Sequence, residues 1–201
     1  KMPRKLKVGF SNSKRNLTHA TYRDLGFAAR PDGNFDVYSA GGLGNNPKFG
    51  VKVAEAVPPE KILYYIKAMW LTFLAYGNYE NRGRARTRYM QETCGGPEGY
   101  VRAYREKLEE VLTSGENLEL DLHPAALEKT GDGSQVSGPR VLEQKQQGLY
   151  TVVWHPIGGQ PDPAVLCAVS DAMEKMPGAE LRLSPDQTAY LVNLNGAETL
   201  T

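Results

Sequence analysis

Residues 25–40 read LGFAARPDGNFDVYSA, and the fold of the first half of the chain turns on them. Two runs of strand character, 25–30 and 34–40, flank Pro31-Asp32-Gly33, whose proline and glycine preset turn dihedrals. A β-hairpin is predicted. Working outward, residues 4–12 alternate Leu6, Val8 and Phe10 with Lys5, Lys7 and Gly9, the period of a strand with one apolar face and one basic or small face. A polar loop over 11–23 joins this strand to the hairpin. Behind the hairpin, Gly41, Gly42 and Gly44 mark positive φ or a close backbone approach, although a bare turn is the simpler reading of such a trio.

Pro58 and Pro59 open the clearest helix, with Ile62, Ile66, Trp70, Phe73 and Leu74 at three- and four-residue spacing and an end near Gly77. A second helix is expected over 83–93. A third is expected over 97–112, with Val101, Tyr104, Leu108, Val111 and Leu112 on one stripe and Gly95-Gly96 before it. Between 113 and 147 the apolar periodicity fades into loop composition, Gly131-Asp132-Gly133-Ser134 and Ser137-Gly138-Pro139, and a domain boundary is placed there. Beyond it, 149–154 reads as a strand, 164–176 as a helix, and 179–183 and 188–194 as strands. This β-α-β-β order is most of a ferredoxin-like half.

A chain of 201 residues can bury one good core, or carry one domain and part of a second. Its 24 Lys and Arg stand against 23 Asp and Glu, a net charge of +1. Overall charge therefore gives no reason to expect nucleic acid or a membrane as partner, and any basic site must be local. The longest apolar stretch, 62–76, is short for a bilayer and interrupted by Lys67. Residues 1–7 are basic with no apolar run behind them, so no signal peptide is expected and the chain reads as cytoplasmic.

Only two cysteines are present, Cys94 and Cys167, each isolated. Two thiols cannot hold a four-cysteine cluster, and His19, His123 and His155 stand at no zinc-ligand spacing. No metal site is self-contained. No nucleophile with its base and orienter stands out, and Gly41-Gly42-Leu43-Gly44 lacks the spacing of a dinucleotide fingerprint. The sequence does not indicate an independent hydrolase, kinase or NAD enzyme.

What remains is basic. Lys5 and Lys7, two apart on a strand, would share a face and repel unless an anion lies between them; a solvated sheet face is the plainer alternative. Arg82, Arg84, Arg86 and Arg88 would pair on a helix as 82 with 86 and 84 with 88. Salt-bridged surface arginines are one reading of this run, and an RNA patch with Tyr79 and Tyr89 as stacking faces is another.

Taken in order, these features resemble the sulfite and nitrite reductase family. Met2-Pro3-Arg4-Lys5-Leu6-Lys7-Val8 looks like its L-P-R-K-F-K strand, and His19-Ala20-Thr21-Tyr22-Arg23-Asp24-Leu25-Gly26-Phe27 is similar to its H-x-x-x-x-D-I-G-F segment. Gly41-Gly42-Leu43-Gly44 resembles the glycine-rich V-G-G-G-L turn. Gly77-Asn78, Arg82 and Arg86-Thr87-Arg88-Tyr89 follow its G-N-R…R-x-x-A-K-T-K-Y helix. Arg182-Leu183-Ser184-Pro185-Asp186-Gln187 matches the R-L-T-x-x-Q corner of the ferredoxin-like domain that opens the second of the family's two copies.

The resemblance implies an α+β fold: a mixed-sheet sirohaem-binding domain with packed helices over 1–122, a linker over 123–147, and a truncated ferredoxin-like half-domain over 148–201. It implies an internal piece of a longer enzyme that carries six electrons to sulfite or nitrite with sirohaem and a 4Fe-4S cluster, whose C-x5-C and C-x3-C ligands are expected beyond this chain. Segment 11–15 stands where the second copy has its first cysteines. By position, Lys5 and Lys7 are the catalytic residues, and Arg4, Lys5, Lys7, Gly41, Gly42, Arg82 and Arg86 bind the cofactor. Arg86 replaces a family lysine and reads as a carboxylate clamp. Implied partners are sulfite or nitrite, the remainder of the polypeptide, and ferredoxin or a flavoprotein as electron donor. The alternative is a non-catalytic binding or scaffold module.

Overall fold

The computed structural model describes residues 1–12, 16–123 and 126–201. Segment 13–15, part of the stretch compared with the second copy's cysteines, lies outside the described residues. The fold is α+β, and the chain divides into two compact units, Lys1–His123 and Pro124–Thr201.

In the first unit the hairpin forms from β2 (Leu25–Ala29) and β3 (Phe35–Ser39), antiparallel, with Gly33 at φ 85 in the turn where a side chain would be strained. β1 (Val8–Ser11) lies parallel to β2 with Phe10 opposite Phe27, their rings stacked 4.9 Å apart. β4 (Val51–Val57) completes a mixed sheet in the order β1-β2-β3-β4. It has no counterpart among the expected strands. Two register shifts against β3 and a positive φ at Ala56 interrupt its pairing, and Val53 and Val57 are its buried residues.

β1 is also shorter than the strand read over 4–12. The Lys7 N–H goes to the Asp24 side chain instead of a neighbouring strand. Lys5 and Lys7 therefore stand before the strand, and no pleat places them on one face.

Two long helices cover the sheet. α1 (Ile62–Tyr76) follows a 3-10 turn at Pro59–Lys61 and packs along α3 (Pro97–Thr113). The core joins Leu25, Phe27, Val37, Val53 and Val57 of the sheet to Met69 and Phe73 of α1 and Tyr100, Tyr104 and Val111 of α3. Each large apolar side chain so enclosed contributes about 1.5–3 kcal/mol. Two expected stripe members point outward: Trp70 is 43% exposed and Leu112 50%. α1 is turned so that Met69, Thr72 and Phe73 face inward, which puts Trp70 at the rim.

The helix expected over 83–93 is not one helix. Two 3-10 turns, Arg82–Arg84 and Thr87–Tyr89, precede a single α-turn, α2 (Met90–Thr93). Arg86 interrupts them with extended backbone, φ −84 and ψ 150. The i,i+4 pairing of the arginines accordingly does not exist.

In the second unit β5 (Val141–Glu143), β6 (Tyr150–Trp154), β8 (Ala189–Leu194) and β7 (Glu180–Leu183) form an antiparallel sheet in that order. β5 lies inside the stretch read as connection. Leu149, Tyr150, Ala189, Val192 and Leu194 are buried, while α4 (Pro163–Met173) buries none of its residues and Leu183 is exposed. A final turn, α5 (Gly196–Thr199), is closed by a capping box of Asn195 and Glu198. No helix among the described residues is long and apolar enough to cross a membrane.

Candidate anion-binding site

Asp24, at the start of β2, organises the basic segments. Its side chain is 1% exposed. One carboxylate oxygen accepts the Lys7 N–H at 2.8 Å, both accept Arg86 Nη2 at 3.0 and 3.1 Å, and Oδ1 also accepts the Thr87 hydroxyl. A carboxylate this deep is tolerated because charged and neutral donors surround it. Its main chain is held as well: Ala40 N–H donates to its carbonyl at 2.9 Å, and Gly41 N–H to the Arg23 carbonyl at 3.0 Å. One residue thereby ties together the N-terminal basic segment, the glycine turn and the arginine run.

A second thread runs beside it. Arg4 Nη1 donates to the Arg82 carbonyl at 3.1 Å, and the absent Cβ of Gly77 would stand 2.5 Å from Pro3 Cγ. Residues 3–7 thus lie along 77–87. Gly26, the glycine after Asp24-Leu25, faces the 3-10 turn Ala20–Tyr22; a Cβ there would meet the Ala20 carbonyl oxygen.

The glycine turn is braced from α2. Gln91 donates to the carbonyls of Ala40 and Phe49 at 2.9 and 2.8 Å, Gly42 and Lys48 exchange both backbone hydrogen bonds, and Lys48 and Arg84 both pair with Glu92. Lys48 is the leading cause holding the Glu92 carboxyl below its usual range. Underneath, the Ser39 hydroxyl lies 2.7 Å from that of Tyr100, whose ionisation burial pushes up, so Tyr100 acts as a neutral hydrogen-bonding group.

Of the residues singled out from sequence, Arg4, Lys7, Gly41, Arg82 and Arg86 meet through these contacts. Gly42 lies against Arg88, its absent Cβ 3.4 Å from Arg88 Cδ. The side chains of Lys5 and Lys7 are exposed and form no ion pair among the described residues. The arginines differ: Arg82 and Arg84 are outside, whereas Arg86 is 19% exposed at its side chain and Arg88 7% overall. Asp24, Thr87 and Arg88 were given no role from sequence. An aspartate in a motif that also brings an arginine was the available signal for the first, and burial, which spacing does not report, for the last.

This is a sulfite/nitrite reductase fold with an internally braced basic surface. Residues 1–112 match the family described as "Nitrite and sulphite reductase 4Fe-4S domain", and the chain belongs to that family. It is 25% identical over 205 residues to the sulfite reductase (ferredoxin) of Mycobacterium tuberculosis, covering 98% of this chain and 34% of that protein. With sulfite reductase (ferredoxin) 2 of Mycolicibacterium paratuberculosis it shares 25% over 202 residues. A solved structure of Mycobacterium tuberculosis NirA protein superposes with a TM-score of 0.72 at 24% identity, over 98% of this chain and 34% of that one. The chain thus spans about a third of the length of these relatives.

The family's two cofactors fit this chain differently. Cys94, whose thiol burial pushes up, lies in the first unit and the exposed Cys167 in the second, and among the described residues no three His, Cys, Asp or Glu side chains gather. These residues do not fit a 4Fe-4S cluster. A carboxylate-bearing macrocycle is suited instead by exposed Lys5 and Lys7 and by buried guanidinium nitrogens without acceptors, Nε of Arg86 and of Arg88.

Proposed function

We propose that this chain is part of a sirohaem-dependent sulfite or nitrite reductase, a six-electron oxidoreductase, and that its first unit presents cations to cofactor carboxylates and to the substrate anion. The observation that carries this reading is the Asp24 centre, which gathers the family's basic motifs inside the matched 1–112 region. The names of the relatives favour sulfite as substrate and ferredoxin as donor. Within this reading 1–122 is the cluster-free first copy and 148–201 the ferredoxin-like half-domain of the second, and the stretch 123–147 between them contributes β5 and Asp132 to the second unit.

Sirohaem, where bound, would pass electrons from the donor to the substrate anion. The roles of the chain's own residues are electrostatic. Lys5 and Lys7, exposed ammonium groups, stabilise negative charge on the substrate anion and deliver protons as its oxygens leave. Arg86, with Nη2 committed to Asp24, keeps Nη1 for a cofactor carboxylate. Arg4 and Arg82 steady the rim of that surface, and Gly41 and Gly42 let the backbone come close. The inward setting of Arg86 and Arg88 speaks against an RNA-contacting stripe, since half the run is withdrawn from any flat surface.

The test is the natural gene product purified from cells that make sirohaem. Sirohaem absorption bands together with sulfite- or nitrite-dependent oxidation of reduced methyl viologen are expected. A protein without the bands and without turnover on either anion, from a host that loads a known sirohaem enzyme, overturns the reading.

A further inference from the structure

β7 is an edge of the second unit's sheet: it pairs with β8 on one side and with no described strand on the other. Ser184 N–H donates to the Thr188 carbonyl at 2.9 Å, and the pairing continues in register from Leu183 with Ala189 to Glu180 with Val192. Backbone groups alternate sides along an antiparallel strand, so those of Arg182 and Glu180 are committed to β8 and those of Leu181 and Leu183 point outward. All four residues are exposed, and neither a proline nor a register shift blunts the edge. Its charges do not repel a second strand either, since Arg182 and Glu180 are opposite in sign and already paired at 2.8 Å.

The strand is also complementary to itself. On the side of α4, Leu181 and Leu183 line an apolar hollow with Trp154 and Leu166, and Leu183 is 80% exposed at its rim. Glu180 and Arg182 lie on the other face, beside Gly178 and Asn193. Because only the odd-numbered backbone groups face outward, a second copy can hydrogen-bond to the edge only in registers that set odd residues opposite odd residues. Centred on Leu181, an antiparallel copy sets Leu181 opposite Leu181, Leu183 opposite Ala179, and each Glu180 opposite an Arg182. Sliding that copy two residues either way sets Arg182 against Arg182 or Glu180 against Glu180, which like charges disfavour. Charge thus selects one register.

We infer that β7 is a self-docking edge, through which two copies of this chain pair antiparallel about a twofold axis at Leu181 and join their sheets into one. A pairing of this kind is isologous, the same strand serving on both sides. The leucines of both copies close a single apolar seam on the α4 face, and Glu180 and Arg182 pair across the axis on the other. The inference does not rest on the sirohaem reading, because no residue assigned to the cofactor takes part.

Sedimentation velocity on the 201-residue chain over a concentration series is expected to show a reversible equilibrium of monomer and dimer. Three variants are compared, with thermal melts to check folding. Leu181→Pro removes an outward N–H and no bond to β8. Glu180→Arg and Arg182→Glu each set like charges opposite one another twice across the axis. Every one of the three should raise the dissociation constant about tenfold or more. Mixing Glu180→Arg with Arg182→Glu should restore the dimer, because each arginine then meets a glutamate of the other variant. The pair within the strand is lost in both variants, so only pairing between copies can produce this rescue.

A chain that is monomeric at every concentration overturns the inference and leaves the edge to a strand from elsewhere in a longer polypeptide. A dimer that all three substitutions leave intact overturns it too, since the contact then lies elsewhere. Charge variants that dissociate singly and stay apart when mixed overturn the register and with it the self-docking edge. Should Leu181→Pro fail to fold, the exposed charge variants and their mixture decide alone.

Discussion

Each unit is clasped by one aspartate, and the two clasps are built differently. Asp24 is sealed inside the first unit and takes a guanidinium, a hydroxyl and one backbone N–H. Asp132 lies at the surface of the second and takes backbone N–H groups of Ser134, Gly196 and Ala197 at 2.9–3.2 Å. Both draw residues more than sixty positions apart together. A buried clasp with a charged partner is costly to break, because every group it leaves behind is also buried; an exposed one surrenders its partners to water. The first unit thus spends its most sensitive interaction where the basic motifs meet, and the second on a helix end.

Asp24→Ala should produce the largest effect. It strands the Arg86 guanidinium, the Thr87 hydroxyl and the Lys7 N–H, and the expected loss is about 3–5 kcal/mol in urea unfolding. A loss below about 1 kcal/mol, the range of exposed ion pairs, would mean that the carboxylate is wetter than its geometry indicates. Next comes Tyr100→Phe, which removes the hydroxyl facing Ser39 in the support beneath Asp24. Here about 1 kcal/mol is expected, the worth of one hydrogen bond, since the Ser39 hydroxyl keeps the Asp24 carbonyl and Met69 Sδ as acceptors and the packing is kept.

Asp132→Asn tests the other clasp and is expected to cost less than either. Backbone hydrogen bonds, from Ala197 first, then Ser134 and Gly196, hold the Asp132 carboxyl below the usual aspartate range. A group with a depressed folded value contributes stability above its ordinary value and loses it as pH falls through the folded one. The gap in melting temperature between wild type and Asp132→Asn should therefore be widest near neutral pH and close below about pH 4. A gap that grows on acidification would reverse the sign and rule out this account.

The hairpin, α1, α3 and the β-α-β-β order were legible because each repeats a short-range pattern that its environment respects. β4 was not, since Glu55 stands in phase with Val53 and Val57 and interrupts the alternation, and the irregular pairing with β3 lets that side chain stay exposed. The arginine run kept its composition but not its geometry: extended backbone at Arg86 broke the expected helix, and only the tertiary fold sends Arg86 to Asp24 and Arg88 under the glycine turn. Residues of separate motifs, Lys7 and Arg86, meet at Asp24. The motifs could not say which cation would be paired and which left over, because that depends on residues sixty positions apart meeting. The glycine of Asp24-Leu25-Gly26 has a clear reason after the fact, the contact with the Ala20 carbonyl, again a matter of packing that spacing does not encode.

The smallest stability effect is expected at the clasp that shows the largest. Lys7 reaches Asp24 through its main-chain N–H, which any residue but proline supplies, while its side chain is exposed and unpaired among the described residues. Lys7→Met should therefore leave the unfolding free energy within about 0.5 kcal/mol of wild type, as surface substitutions do. Lys5→Met, with no such backbone role, should be equally mild. On the proposed reading, the same two changes in the full-length protein are expected to lower turnover on sulfite or nitrite, so the ratio of lost activity to lost stability should be high for the lysines and low for Asp24→Ala. Measuring urea midpoints and turnover for all three variants under one set of conditions separates the two roles. A Lys7→Met protein destabilised as much as Asp24→Ala would show that the ammonium itself holds the clasp, and the division between a buried frame and an exposed working surface would fail at that residue.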